Sequence, residues 1–502
     1  MKRQGTCLSL LGWMLLCLFG FGGCAGVPLP TRSSWMGEEG QLGGCAAFFA
    51  AQDDTALQAQ VMDPGVFRVP GYPYLRVNRF LASFGNAVDS PEAFEVWVDR
   101  MQALDLEARR HEWVNLPGPP PSEAQSHQIH QRATICGEAL READFKWAWQ
   151  RQKLKDAIAV PDEYIETRRV LGIYALTQWF VSRGVRDWHE EALRQFSTAP
   201  PEHRSPTKRY WPPGAVFEAD ATGRFAFVQP DALGIPVFSP DERAALFRSF
   251  APVWEIDTRN DADRIGAPMW SADGRVMIDV GRTPVYLKLN YTHFGGRVLI
   301  QLNYIIWFPA RPKTGVLDIY GGHLDGLNYR VTLDIDGSPL LYETMHNCGC
   351  YYKAYFTERL KVRQAIDYAE PPLMFPAPAV DAGAEVMVVS MQSRTHYVQH
   401  LYAAPREGAT DTGYRLMDYN ILRSLPLPDT GRRSMFRPDG IAFGSQRLER
   451  FVLWPTGVNS PGAMRQWGRH AVAFVGKRHF DDPFYMEKMF QRAVAADNSS
   501  LP

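Results

Sequence analysis

The hydrophobic period of this chain changes near residue 210, and that change limits its fold more than any other feature. Before it, apolar residues recur at three- and four-residue spacing, as in helices that bury one stripe. "SPEAFEVWVDRMQALDLEARRHEWV" opens with Ser90 as a capping residue and Pro91, whose missing N–H is harmless at the first helical position. "PGPPPSE" breaks the chain, and "EAQSHQIHQRATICGEALREADFKWAWQRQKLKDAI" resumes a helix. "PDEYIETRRVLGIYALTQWFVSRGVRDWHEEALRQF" supplies one or two more, and "STAPPEHRSPTKRYWPPG" reads as a linker.

Beyond the linker the period is two. "MWSADGRVMIDV" is strand, Asp-Gly turn, strand; "PVYLKLNYTHFGGRVLIQLNYIIWF" repeats this around Gly295-Gly296, and "YRVTLDIDGSPLLYETM" around Asp336-Gly337. Each is a two-residue hairpin signal flanked by β-rich runs. "AEVMVVSMQSRTHYVQHLY" reads as one further long strand. The fold class expected is α+β. Its parts are a tether and loosely structured lead-in at 24–84, a helical region at 85–200, an antiparallel β-rich domain at 215–405 and a mixed C-terminal region at 406–502. The last should hold a strand pair near "RFVLWP" and "HAVAFVG" and a closing helix in "DPFYMEKMFQRAVAA". A formal charge of −1 gives no basic field and so no reason to expect nucleic acid. Short basic runs such as "GRRSMFR" read as solvated loops, and the aromatic runs as core.

The first residues bear on location. Lys2 and Arg3 precede the apolar run "CLSLLGWMLLCLFGF", which is too short to span a bilayer, and "FGGCAG" follows. The small pair before Cys24 resembles the lipobox of bacterial lipoproteins, although Phe21 stands where leucine is usual. The resemblance implies a signal peptide at 1–23 and lipidation of Cys24, with palmitate-type acyl chains as the membrane anchor. With Ala25 next, it also implies an outer-membrane location, facing the periplasm or the cell surface. Partners would then be the membrane and other envelope proteins.

An oxidising compartment favours disulfides. Four cysteines remain, Cys45, Cys136, Cys348 and Cys350, and they allow three pairings. The simplest joins Cys45 to Cys136 and leaves the other two as a local pair.

Candidate chemistry gathers in "LYETMHNCGCYY". His346, Cys348 and Cys350 alternate, so an extended chain projects all three from one face. Counting back from the Asp336-Gly337 turn sets residue 328 opposite about 345, which brings "GGHLDG" to the same end of the hairpin. His323, His346, Cys348 and Cys350 are therefore candidate ligands for zinc or copper, since thiolate and imidazole suit either ion. Whether His293 joins them depends on strand order. Two alternatives stand beside this one. The Cys-Gly-Cys turn can be a structural brace in a non-catalytic scaffold or assembly lipoprotein. Or Cys350, His396 and Asp418, whose order resembles that of papain-like and transglutaminase-like hydrolases, can form a thiol site for a hydrolase or transferase. No reaction is assigned. "TLDIDGSPLLYE" fits a hairpin better than a calcium loop, and His396 and His400, on one strand, would stand about 13 Å apart.

Overall fold

A computed structural model describes residues 31–196, 206–213, 228–364, 369–381, 383–406 and 412–493. The signal peptide and Cys24 lie outside these residues, as does most of the expected linker. The architecture is α+β, with the long helices before residue 200 and mostly antiparallel sheets after it.

The centre is a seven-stranded sheet. In space its strands run Leu373–Pro376, Lys353–Phe356, Pro339–His346, Gly322–Leu333, Arg297–Arg311, Pro284–Phe294 and Arg415–Asp418. The inner junctions are antiparallel hairpins, and both edge strands join in parallel. A five-stranded sheet covers one face, ordered Val398–Pro405, Glu385–Met391, Val253–Asp257, Thr207–Trp211 and Thr412–Gly413. The alternation of Arg297–Arg311 shows how the layers form. Ile300, Leu302, Tyr304, Ile306 and Phe308 pack toward the five-stranded sheet with Trp254 and Val389. Leu299, Ile305 and Trp307 pack the other way, with Tyr419, Phe436 and Met464 of the C-terminal region. The central sheet is thus buried on both faces, which the largely apolar run "LIQLNYIIWF" allows, with Gln301 and Asn303 buried within it.

The helix Pro91–Val114 begins where expected, with the Ser90 hydroxyl accepting from the Ala93 N–H. The lead-in, however, is not loose. Gln41–Gln58 is a helix and Phe67–Val69 pairs with Tyr72–Val77. Cys45, Ala46, Phe48, Phe49 and Ala50 of the run "CAAFFAA" are buried there, and a disulfide joins Cys45 to Cys136 in the helix Glu123–Asp144. Arg76, fully buried, holds hairpin to helix by bonding Asp105 at 3.0 Å and Glu112 at 2.8 Å.

Three other expectations need correction. Thr207–Trp211, inside the expected linker, is a strand. "AEVMVVSMQSRTHYVQHLY" is two antiparallel strands, Glu385–Met391 and Val398–Pro405, because the chain reverses at 392–397 with Arg394 and His396 at positive φ. No strand pair forms at "RFVLWP" and "HAVAFVG", which meet the fold through 3-10 turns and one bridge, Ala471 to His479. Pro455 ends the first segment, and Gly457, Pro461 and Gly462 lie between the two, which disfavours a ladder. The closing helix is only Tyr485–Met489, and Phe490–Arg492 then pairs with Leu360–Val362. Among the described residues, no helix is long and apolar enough to cross a membrane.

Candidate functional site

The hairpin register comes out as counted, with Met345 opposite Asn328. Beyond it the chain turns back sharply. The Asn347 N–H donates to the Gly326 carbonyl at 2.9 Å, and the Gly349 N–H to that of His346 at 2.8 Å. Gly349 sits at φ +94°, and a Cβ there would lie 2.2 Å from the Ala471 carbonyl oxygen. Only glycine fits this turn against the C-terminal layer.

The turn does not gather the four candidate ligands. His323 points its Nε2 at the Val276 carbonyl, 2.5 Å away. His346 is engaged on both sides, with Nδ1 3.5 Å from Asp325 and Nε2 3.1 Å from the His396 carbonyl. Cys348 and Cys350 are free thiols, and the Cys350 N–H donates to the Cys348 sulfur at 3.4 Å. The register is right, but protein partners already hold the imidazoles. Among the described residues, no group of three or more His, Cys, Asp and Glu side chains is placed to hold a metal ion, so neither zinc nor copper finds a site in this set. His293 is elsewhere, bonded to Ser83 at 2.8 Å.

The thiol site does not assemble either. Its hydrogen bond with Cys348, reinforced by burial, pushes the Cys350 thiol well up, so it stays protonated and weakly nucleophilic. Asp418 is half exposed and caps the turn Tyr419–Arg423 through the Asn420 N–H. The carboxylates beside His396 are Asp325, at 2.9 Å, and Asp263, at 3.5 Å.

These residues form a buried charge clamp. Burial alone would raise the Asp325 carboxyl, but Arg447, His346 and His396 outweigh it and hold it well below the usual range. Burial would lower His396, and the carboxylates of Asp263 and Asp325 on its two sides outweigh that and raise it, which favours the charged ring. Phe308 stacks on it at 4.0 Å between ring centroids. Asp263 also accepts the Arg394 N–H at 2.6 Å and the Arg259 N–H at 2.9 Å. The clamp thus fastens the 392–397 reversal to both sheets. His396, Asp325 and Asp263 are fully buried and line neither of the two cavities described below.

Just beside the clamp lies a cavity of about 520 Å³. Its floor is the turn Cys348–Tyr352 with Tyr397, and one wall is the helix Tyr174–Phe196. That helix rests on the sheets through Trp188, 5.3 Å from Tyr351, and Phe196, stacked at 4.3 Å on Phe375. Phe180, Val181, Val185, Val452, Leu453 and Val458 make most of the remaining lining apolar. Two acids line the wall, Glu449 and Glu370, and Glu370 lies 3.8 Å from Arg478, which also lines it. Burial pushes Glu449 up to about 7, so much of it is neutral at neutral pH. Arg311 lies behind the floor, donating to the Tyr351 and Tyr397 hydroxyls at 3.3 and 3.0 Å.

Sequence reasoning found His346 and the two cysteines but missed Asp325, Asp263, Arg447 and Glu449. Asp325 stood in "GGHLDG", and its signal was a carboxylate at a strand position with apolar neighbours on the same face. Comparison with protein-family models, characterised proteins and solved structures finds no match for the chain.

Proposed function

We propose that this is a lipid-anchored envelope protein that binds an apolar or amphipathic chain of acyl type in the cavity above the Cys-Gly-Cys turn, without a catalytic step. The observation that carries the reading is a largely apolar lining, in which Glu449, His189 and the Glu370–Arg478 pair are set among apolar side chains. Phe180 and Val452 both line the cavity, yet are 83% and 58% exposed. Large exposed apolar side chains at a pocket mouth mark an entry for a ligand that prefers them to water. The floor suits such a guest, since the Cys350 thiol is neutral and burial keeps much of Glu449 neutral at neutral pH.

The anchor is a separate element, resting on the resemblance at Cys24. Cys24→Ser should move the protein from the membrane to the soluble fraction, and unchanged fractionation would refute lipidation there.

The cavity is tested with cis-parinaric acid, which fluoresces on entering an apolar site. Gly184 faces it, and a Cβ at that position meets nothing within 4 Å. Gly184→Phe should fill the space and abolish the fluorescence gain while thermal unfolding stays that of the wild type. No gain with the wild type, or an equal gain with Gly184→Phe, removes the reading.

A further inference from the structure

A second cavity, of about 820 Å³, lies between the end of the helix Pro91–Val114 and the segment 423–443, well away from the Cys-Gly-Cys turn. Its lining is cationic, with Arg423, Arg432, Arg433 and Arg437 against Asp63 and Asp439. Two of these arginines are already neutralised. Arg423 bonds Asp63 at 2.6 Å and also pairs with Glu107, and Arg437 lies 3.1 Å from Asp439. Arg432 instead donates to the Ser424 carbonyl, at 2.9 and 2.5 Å. Arg433 is sandwiched between Trp270 and Phe443, at 4.6 and 4.2 Å from their ring centroids. Neither Arg432 nor Arg433 has a carboxylate partner among the described residues. The "GRRSMFR" run, read from sequence as a solvated loop, thus turns two uncompensated positive charges into a cavity.

Two buried acceptors add the second half of the argument. The Ser424 hydroxyl donates to the Arg423 carbonyl at 2.8 Å, so the His111 Nδ1–H must donate to the Ser424 oxygen, also at 2.8 Å. Burial and the nearby Arg423 push His111 down to about 4, so the ring is neutral and Nε2 is left as an acceptor. It has no partner among the described residues. Asn115 repeats the pattern: its Nδ2 donates to the Arg423 carbonyl at 2.7 Å, and its Oδ1 has no partner among the described residues. Both residues line the cavity and are more than nine-tenths buried. Buried acceptors left unmade are costly, and a group that donates to them recovers that cost.

We propose that this cavity binds an anionic polyol, a sugar carrying a phosphate or a carboxylate, with its acid group at Arg432 and Arg433 and its hydroxyls donating to His111 Nε2 and Asn115 Oδ1. Guanidinium recognises either acid by paired charge-assisted hydrogen bonds. A bare anion would satisfy the arginines and leave both acceptors unmet. A neutral sugar would do the reverse.

The test is calorimetric titration of the whole protein with glucose 6-phosphate, glucuronate, glucose and inorganic phosphate. At least one of the two sugar acids should bind about tenfold or more tighter than glucose and inorganic phosphate alike, and the preference between them tells phosphate from carboxylate. Arg432→Gln combined with Arg433→Gln should weaken that binding by about tenfold or more, with thermal unfolding confirming that the variant folds. Should the variant not fold, the four-ligand comparison on the wild type decides alone. Inorganic phosphate binding as tightly as the sugar acids would overturn the proposal, as would no binding by either acid. Gly184→Phe should leave this binding unchanged, which separates the two cavities.

Discussion

In the strands from Pro284–Phe294 to Pro339–His346, backbone donors and acceptors meet in continuous antiparallel ladders. The layer covering that sheet, from about residue 435 to 482, is as deeply buried and has hardly any ladder. Buried carbonyls must still be paired, and here arginines do it. Arg465 donates to the carbonyls of Cys348, Asn459 and Ser460, Arg447 to those of Tyr320 and Leu324, and Arg478 to those of Glu370 and Val472. The contrast teaches that a ladder spreads satisfaction over many weak, replaceable bonds. An irregular layer concentrates it in a few side chains, and there single substitutions should do the most damage.

The largest effect is expected where the two regions meet. Arg330, on the sheet face toward the cover, bonds Glu343 at 2.6 Å, donates to the Phe480 carbonyl at 2.7 Å and stacks on the Phe480 ring at 3.7 Å. Arg330→Met strands the Glu343 carboxylate and should cost about 3–5 kcal/mol in urea unfolding. A cost below 1 kcal/mol would mean that sheet and cover are not joined there. Arg465→Met, within the cover, should cost about 2–3 kcal/mol through its stranded carbonyls. Were it no worse than an exposed substitution, water rather than arginine would be serving those groups, and the contrast would fail.

A third prediction sets two buried carboxyls against each other. Glu449, in the cover, has its folded pKa raised from 4.5 to about 7. The unfolded chain therefore loses this proton first, and the group's contribution to stability falls as pH rises between those values. Asp325, in the sheet, is depressed, so its contribution is present above the ordinary carboxylate pKa and is lost as pH falls. Glu449→Gln should remove a loss of about 1–3 kcal/mol on the neutral side, seen by thermal unfolding over pH. An unchanged profile would deny that Glu449 is buried. The smallest effect is expected at Asp418. Asp418→Asn should change stability by less than about 0.5 kcal/mol, and a larger loss in the same unfolding assay would restore a role that its exposure denies it.

How much of this was legible follows the same division. Hairpins announce themselves by period two and Asp-Gly or Gly-Gly turns, so their residues and even the register at 328 and 345 could be counted. Ser90-Pro91 likewise marked its helix. The reversal at 392–397 has no glycine or proline, since Arg394 and His396 take the positive φ values themselves, held by Asp263 and Asp325. That strain is repaid by distant partners and leaves no local trace. The helix Gln41–Gln58 was hidden because glycines and a disulfide, rather than a strong apolar stripe, fix it in place. At the candidate site, His346 and the cysteines were visible as reactive types. The cavity was not, because its wall is a helix whose lining side chains are the ones left half exposed.

The order in which the central sheet acquires its cover has a kinetic meaning. Its inner strands are complete by residue 356, but one edge waits for Arg415–Asp418 and the covered face for the stretch ending near Phe490–Arg492. Contacts of such sequence separation form slowly. During synthesis the finished hairpins therefore display an uncovered apolar face, a surface that aggregates unless a holding chaperone occupies it. The same delay keeps the chain from locking into its final shape before its last segment is made, and a polypeptide in that open form can still be threaded through a narrow channel.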